Sequence, residues 1–261
     1  MKSCSVTCLG VGDGWPCADR NHASTLYRFG KTSLLIDCGE PVDRSIKASG
    51  ISYDSINAIL LSHLHADHFG GLFMLMQGFW LEQRQGDLPI FMPSHGIHPL
   101  QQMFEAGLLF DELLPFKRKF FGLQPAKPFS VSDVTVTPFP TTHLNGLKTR
   151  FQTKHPHVFS AFSFLLERKR MRVGHSADLG TPEDLDPLFE KPLDLLVCEM
   201  SHFAPEQMFE YLRTRPVKQV IFVHLGSENW DDVPKLKRLG KKLLPGVRHT
   251  FARDGGTFAI E

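Results

Sequence analysis

Short apolar runs separated by glycines and polar turns dominate the first third of the chain: SVTCLGV, STLYRF, TSLLIDCG and AILLSH. Runs of this length and composition predict consecutive paired strands. Residues 72–85, LFMLMQGFWLEQRQ, predict a helix that Gly78 weakens. LPIFMP reads as a short strand and residues 97–110 as a second helix. The basic and aromatic stretch PFKRKFF that follows reads as a helix end or a subunit contact. DVTVTPFPTTH alternates with a period of two and predicts a strand running up to His143. VFSAFSFLLE and RMRVGHSAD predict two strands around the Arg168–Arg170 turn. LDLLVCEMSH and KQVIFVHLG are patterned as buried strands, and PEQMFEYLRTR as a helix with Pro205 in its first turn. Residues 230–243 predict a basic helix, and HTFARDGGTFAIE resembles a hairpin turning at Asp254-Gly255-Gly256. Two blocks of strands, each with helices, predict two packed sheets covered by helices on the outside.

Composition narrows the picture. The 261 residues contain no repeat, low-complexity tract or linker, so a single domain over 1–261 is expected. The hydrophobic fraction of 42% suits a chain that buries a sizeable core. A net charge of +1 gives no global field to draw nucleic acid or anionic lipid. The N-terminus, MKSCSVTCLGVGDG, has no long apolar run, and no signal peptide or membrane span is read. Five scattered cysteines argue against a disulfide framework. Cys4 and Cys8 lack the CxxC spacing of a structural zinc site and read as buried strand residues. A reducing cytoplasm is the expected compartment.

The chemistry concentrates in LSHLHADHFGG, residues 61–71. Neutral imidazole is a ligand suited to zinc, iron or manganese. In extended backbone His63 and His65 project to the same side, because side chains repeat every two residues. Asp67 and His68 follow at once, so a turn there can offer a second ligand pair. INAILLSH supplies a rigid strand whose end presents these groups, and Gly70-Gly71 lets the backbone turn into the next helix.

The HLHADH stretch resembles the signature of the metallo-β-lactamase fold hydrolases, and the resemblance runs along nearly the whole chain. LLIDCG, with Asp37, is similar to the strand and turn that precede the signature. His143 in PTTHLNG, Asp178 in VGHSADLG and His224 in IFVHLG match the later ligand positions. The resemblance implies an αββα sandwich, an α/β fold of two mixed sheets with metals at the sheet edge. It implies one ion held by His63, His65 and His143 and another by Asp67, His68 and His224, with Asp178 bridging. No cysteine falls at a ligand position. Two divalent ions are implied, zinc as first choice, with manganese or iron compatible with the same donors. Such a pair holds a bridging hydroxide that attacks phosphorus or a carbonyl carbon. Asp67 is expected to bind metal and orient that nucleophile.

The opening LGVGDGWPCADRNHAS resembles the ribonuclease Z and small-molecule phosphodiesterase branch. Glu199 and His202 in VCEMSHF are similar to a glutamate and histidine that assist the leaving group there, although that branch carries the two on separate motifs. His175 is read as packing behind the site, and His155 and His157 as facing solvent. Ribonuclease Z also carries a long glycine- and proline-rich arm between the positions matching His143 and Asp178; here that interval is short. The expectation is therefore a phosphodiesterase acting on a small or moderate-sized substrate. Its rivals are a ribonuclease Z-like tRNA 3′-processing endonuclease, a lactonase or thioesterase on the same site, and a non-catalytic binder that keeps the fold. RNA would need a local basic stripe. Lys148, Arg150 and Lys154 near His143, and Lys117, Arg118 and Lys119 among phenylalanines, are candidates, and residues 103–122 are open to use as an exosite or a homodimer surface. Lys235, Lys237, Arg238, Lys241 and Lys242 read as the solvated face of a helix.

Overall fold

A computed structural model describes residues 4–261. In chain order the elements are β1 (Cys4–Gly10), β2 (Ser24–Phe29), β3 (Thr32–Ile36), α1 (Val42–Ala48), β4 (Ala58–Leu60), α2 (Ala66–Phe69), α3 (Leu72–Leu81) and β5 (Leu88–Met92). They continue with α4 (Ile97–Ala106), β6 (Arg118–Gly122), β7 (Phe129–Val131), β8 (Val134–Pro140), α5 (Asn145–Phe151), β9 (Phe162–Arg168) and β10 (Met171–His175). The last are β11 (Leu195–Met200), α6 (Pro205–Leu212), β12 (Gln219–Leu225), α7 (Ser227–Asp231), α8 (Val233–Leu243), β13 (Arg248–Phe251) and β14 (Gly256–Ile260). The reading of the N-terminus as free of a leader rests partly on residues 1–3, which lie outside the described residues.

The strands form two seven-stranded sheets, ordered β14-β1-β2-β3-β4-β5-β6 and β13-β12-β11-β10-β9-β8-β7. Each sheet is half antiparallel and half parallel. β14 to β3 pair antiparallel and β3 to β6 parallel. In the second sheet β7 to β10 pair antiparallel and β10 to β13 parallel. The pleat sends alternate side chains into different cores. In β4, Ala58 and Leu60 enter the core between the sheets, whereas Ile59 packs outward with α1 and α3 residues such as Val42, Ile46 and Phe79. In β11, Leu195 and Val197 face the inner core, and Leu196 and Cys198 face an outer layer with Phe209 and Leu236. Strands covered on both faces read as continuous apolar runs, which is why LDLLVCEM and KQVIFVHL lack alternation. Among the described residues no helix is long and apolar enough to cross a membrane.

Three local expectations are corrected. The C-terminal pair is not a hairpin: β13 joins β12 in one sheet and β14 joins β1 in the other. The turn at Gly255, with φ +77°, carries the chain from sheet to sheet because both β12 and β1 offer an unpaired edge there. PFKRKFF is not a helix end. Residues 118–122 form edge strand β6, where Phe120 packs outward and Phe121 stacks on Phe91 with centroids 5.1 Å apart. The helix expected over 72–85 stops at Leu81, and the one over 97–110 at Ala106. Beyond Leu81, the buried Arg84 guanidinium donates to the carbonyls of Tyr53 and Ile56 instead of continuing a helix. Cys8 is buried but Cys4 only half so, and all five cysteines are free.

α3 is held to the outer face of the first sheet chiefly by its apolar side. Phe79→Ala removes a fully buried ring there and is expected to lower stability by about 3–5 kcal/mol. Urea denaturation should show a lower midpoint at unchanged slope; a loss under about 1 kcal/mol would contradict this packing.

Candidate active site

The carboxyl-terminal ends of the parallel strands of both sheets meet at one edge of the sandwich. Ligands of open α/β sheets bind outside such ends. Asp37 follows β3, His63 follows β4, His143 follows β8, Asp178 follows β10 and His224 lies near the end of β12. His65 sits in extended backbone at the N-cap of α2, and Asp67 and His68 occupy that helix's first turn. Asp37, Ala177 and His224 adopt left-handed backbone, with φ of +59°, +46° and +49°. Non-glycine residues rarely do so, and here each departure re-aims the chain where a strand meets the seam. The sheets are stitched at this edge by the Phe162 amide, which donates to the Ser62 carbonyl at 3.1 Å.

All seven residues singled out as ligands converge. His63, His65, His143 and Asp178 place ligand atoms within 4.8 Å of one another, and so do Asp67, His68, Asp178 and His224. Asp178 belongs to both groups through different oxygens. Its Oδ2 lies 3.8 Å from His63 Nε2 and 3.6 Å from His143 Nε2. Its Oδ1 lies 3.3 Å from His68 Nε2 and 3.6 Å from His224 Nε2. Asp67 Oδ2 completes the second group at 3.3 Å from both His68 Nε2 and His224 Nε2.

These separations bear on what the cluster can hold. Most exceed a good hydrogen bond, yet they match the ~3.3 Å edge of a tetrahedron whose ligands lie ~2.0–2.1 Å from its centre. His63 Nε2, His68 Nε2 and Asp178 Oδ1 are buried and have no hydrogen-bond partner. Stranded buried polar atoms are costly, and here they point at one another. Nitrogen and oxygen donors so arranged fit divalent cations.

The imidazoles are aimed from behind. Asp37 is buried, and its Oδ2 accepts from His68 Nδ1 at 2.7 Å and from Ser62 Oγ at 2.8 Å, while Oδ1 accepts from the Ser62 amide at 2.7 Å. Ser62 Oγ lies 3.0 Å from His63 Nδ1. With its proton given to Asp37, that hydroxyl accepts from His63 Nδ1–H. One carboxylate therefore sets the tautomer of two rings and turns both Nε2 lone pairs into the cluster. Burial opposes ionisation of the Asp178 carboxyl, but the charges of His224, His68 and His63 outweigh it and hold its pKa well below the usual range. Burial likewise disfavours the charged His68 ring, yet Asp178 and Asp37 hold its pKa well above the ordinary value.

Glu199 and His202 come to the same place. Glu199 is buried at the end of β11, where a register shift follows it. Its Oε1 accepts from the Leu179 amide at 2.8 Å and from His202 Nδ1 at 2.7 Å. Its Oε2 accepts from the Ser201 amide at 2.8 Å and the His202 amide at 3.2 Å. His202 Nε2 then faces the cluster, 3.9 Å from Asp178 Oδ2. Burial lowers the His202 pKa, but the Glu199 hydrogen bond and charge prevail and lift it to about 9. Its side chain remains 32% exposed, open to an incoming molecule.

His175 stands behind the cluster, buried, with Nδ1 2.8 Å from the Tyr27 hydroxyl. His155 and His157 are exposed. Lys148 and Arg150 lie on α5, whose seven residues are all unburied. The sequence gives Ser62 no role and places Asp254 only in a turn. The latter's two oxygens accept from the Val11 amide at 3.0 Å and the Asn21 amide at 2.7 Å, bracing the loop beside His224. Ser62 had a signal in its place next to His63; Asp254 had none, because its partners are remote in sequence.

Fold and site together define a metallo-β-lactamase-fold protein. The B. subtilis metallo-β-lactamase fold protein YhfI superposes with a TM-score of 0.79 at 20% identity, covering 99% of this chain and 100% of that one. The short form of human tRNase Z gives 0.77 at 18% identity, covering 98% and 99%. Both bear out the expected αββα fold. Ribonuclease Z of Methanocaldococcus jannaschii is 28% identical over 135 residues, which are 52% of this chain but only 43% of that protein. The family model for Anti-Pycsar protein Apyc1 matches residues 4–208, and the chain belongs to that family.

Asp37→Asn keeps the shape but loses the charged acceptor behind His68 and Ser62. Affinity for zinc, measured by competition with a chelator, is expected to fall about 10–100-fold with the fold retained; unchanged affinity would contradict the orienting role.

Proposed function

We propose that this chain is a binuclear metal-dependent phosphodiesterase acting on a small or moderate-sized substrate. The observation that carries the reading is the division of the Asp178 carboxylate, one oxygen toward His63 and His143, the other toward His68 and His224. His63, His65 and His143 would hold one divalent ion, and Asp67, His68 and His224 the other, with Asp178 common to both. Zinc suits these donors best, and manganese or iron are compatible. Bound there, two ions supply Lewis acidity and ionise a water near neutral pH.

The chain's own groups do the rest. Asp37 fixes the facing directions of His63 and His68 before anything binds, which lowers the reorganisation left for the reaction. Asp67 lines the seat of the attacking oxygen. Glu199, saturated by backbone amides, holds the His202 ring through Nδ1 and favours its protonated form. His202 Nε2–H then donates its proton to the departing ester oxygen as the phosphorus–oxygen bond breaks. A buried carboxylate behind a half-exposed imidazole suits that task, since the ring reaches substrate while its partner stays dry.

The ribonuclease Z relative favours a second reading, cleavage of precursor tRNA by the same groups. Against it, the interval from His143 to Asp178 holds only α5, a short loop, β9 and β10, which leaves no room for a tRNA-gripping arm.

Zinc-loaded protein is expected to hydrolyse bis(p-nitrophenyl) phosphate, and Asp67→Ala to lose more than about 100-fold of that rate, beyond the cost of an outer hydrogen-bond partner. Retained turnover in the variant would overturn the site assignment, and cleavage of precursor tRNA in preference to small diesters would favour the second reading. His202→Ala should separate substrates by leaving group. Esters of poorly acidic alcohols are expected to slow by about 10²–10⁴-fold and p-nitrophenyl esters far less; equal losses on both would remove the proton-donor role.

A further inference from the structure

Two loops that carry candidate ligands press against each other beside the cluster. Thr141, Thr142 and His143 follow β8, and Asp178, Leu179 and Gly180 follow β10. A Cβ on Gly180 would lie 2.2 Å from Thr142 Oγ1 and 2.6 Å from the Thr142 carbonyl carbon, so only glycine fits this crossing. The Thr141 hydroxyl donates to the Asp178 carbonyl at 2.8 Å.

One carboxylate oxygen joins the two loops. Asp184 is half-buried in the first turn of the 3-10 helix Pro182–Glu190. Its Oδ2 accepts from the Thr142 amide at 2.9 Å, the Thr142 hydroxyl at 2.9 Å and the Gly180 amide at 2.8 Å. The Thr181 amide approaches the same oxygen at 3.4 Å, as one half of a capping box. A capping carboxylate ordinarily serves the amides of its own helix end. Here it also reaches Thr142, 42 positions earlier and next to His143. Bonds to a carboxylate are stronger than those between neutral groups, so this crossing is firmly tied.

His143 depends on such a tie more than the other rings do. Asp37 aims His68 directly and His63 through Ser62. The polar neighbours of the His143 ring, His65 and Asp178, both lie at Nε2. Among the described residues none bonds its Nδ1 from behind, so the backbone places the ring. The Asp178 loop has further anchors: the Leu179 amide donates to Glu199 Oε1 at 2.8 Å and the Ser176 amide to the Val197 carbonyl at 2.9 Å.

We infer that Asp184 is a positioning residue for one ion seat, that of His63, His65 and His143. It locks the backbone of His143 to the loop of Asp178, and the seat of Asp67, His68 and His224 does not depend on it; this rests on the two-ion reading above. Asp184 lies outside the cluster and touches neither ion nor substrate. Its effect is to hold His143 Nε2 in place before an ion arrives, and a donor left free to wander binds more weakly.

Chelator competition, with anomalous diffraction at the zinc edge from crystals held at limiting zinc, tests this without turnover. Asp184→Ala is expected to weaken one of two ions by about 10–100-fold, at the seat of His143, and the other by less than about 3-fold. Asp184→Asn keeps an oxygen in the same place and is expected to recover most of the affinity. Thr181→Ala removes the other half of the capping box and no bond to Thr142. It should lower Tm and leave both ions as tightly held as in wild type. Equal weakening of both ions by Asp184→Ala, no weakening, or the same loss in Thr181→Ala overturns the inference. A wild-type protein with a single ion at the His143 seat, lost in Asp184→Ala, would support the brace and count against the two-ion reading alone. A single ion at the other seat, or none, overturns both.

Discussion

A buried carboxylate shared between two sets of imidazoles is the constraint around which the rest is arranged. Asp178 lies almost fully out of water, at the seam of the two sheets, with four histidine nitrogens within 3.3–3.8 Å of its oxygens. No hydrogen-bond network among these groups satisfies them all; three of the atoms have no partner. A protein that keeps such atoms dry and facing one another forgoes stability there. The cost makes sense if a cation completes the cluster, since metal binding returns the lost free energy.

Holding that arrangement is a task for the fold as a whole. Each sheet switches from antiparallel to parallel pairing at its middle, at β3 and at β10. Parallel neighbours must all end at the same edge, so the loops after β3, β4, β10, β11 and β12 gather there without further instruction. Rigid strands covered on both faces fix where each loop begins. Left-handed backbone at Asp37, Ala177 and His224 then turns the chain into the seam. Asp37 adds the last restraint through His68 and Ser62. Glu199 does for His202 what Asp37 does for His68, but at the rim, where the ring stays accessible. The interior pair is sealed from water and sets geometry, whereas the rim pair leaves the His202 ring within reach of solvent.

The chain by itself determined a great deal, for identifiable reasons. HLHADH was legible because its donors are adjacent and follow an apolar strand. The αββα layers were legible because strands such as LDLLVCEM and KQVIFVHL are apolar on both faces, which only a doubly covered sheet requires. His143, Asp178 and His224 could be placed only by resemblance, since nothing in their own surroundings marks a ligand. What only the tertiary structure decided were relations between remote segments. HTFARDGGTFAIE has every local mark of a hairpin, yet β13 and β14 join different sheets because β12 and β1 compete for them. PFKRKFF became an edge strand once β5 offered it a partner. The division of the Asp178 oxygens, the relay from Asp37 through Ser62 to His63, and the seating of Gly14 against Asp67 all join residues more than twenty positions apart. Local pattern encodes which face a residue shows, through periods of two and 3.6; which strands lie side by side is settled by the packing of both sheets at once.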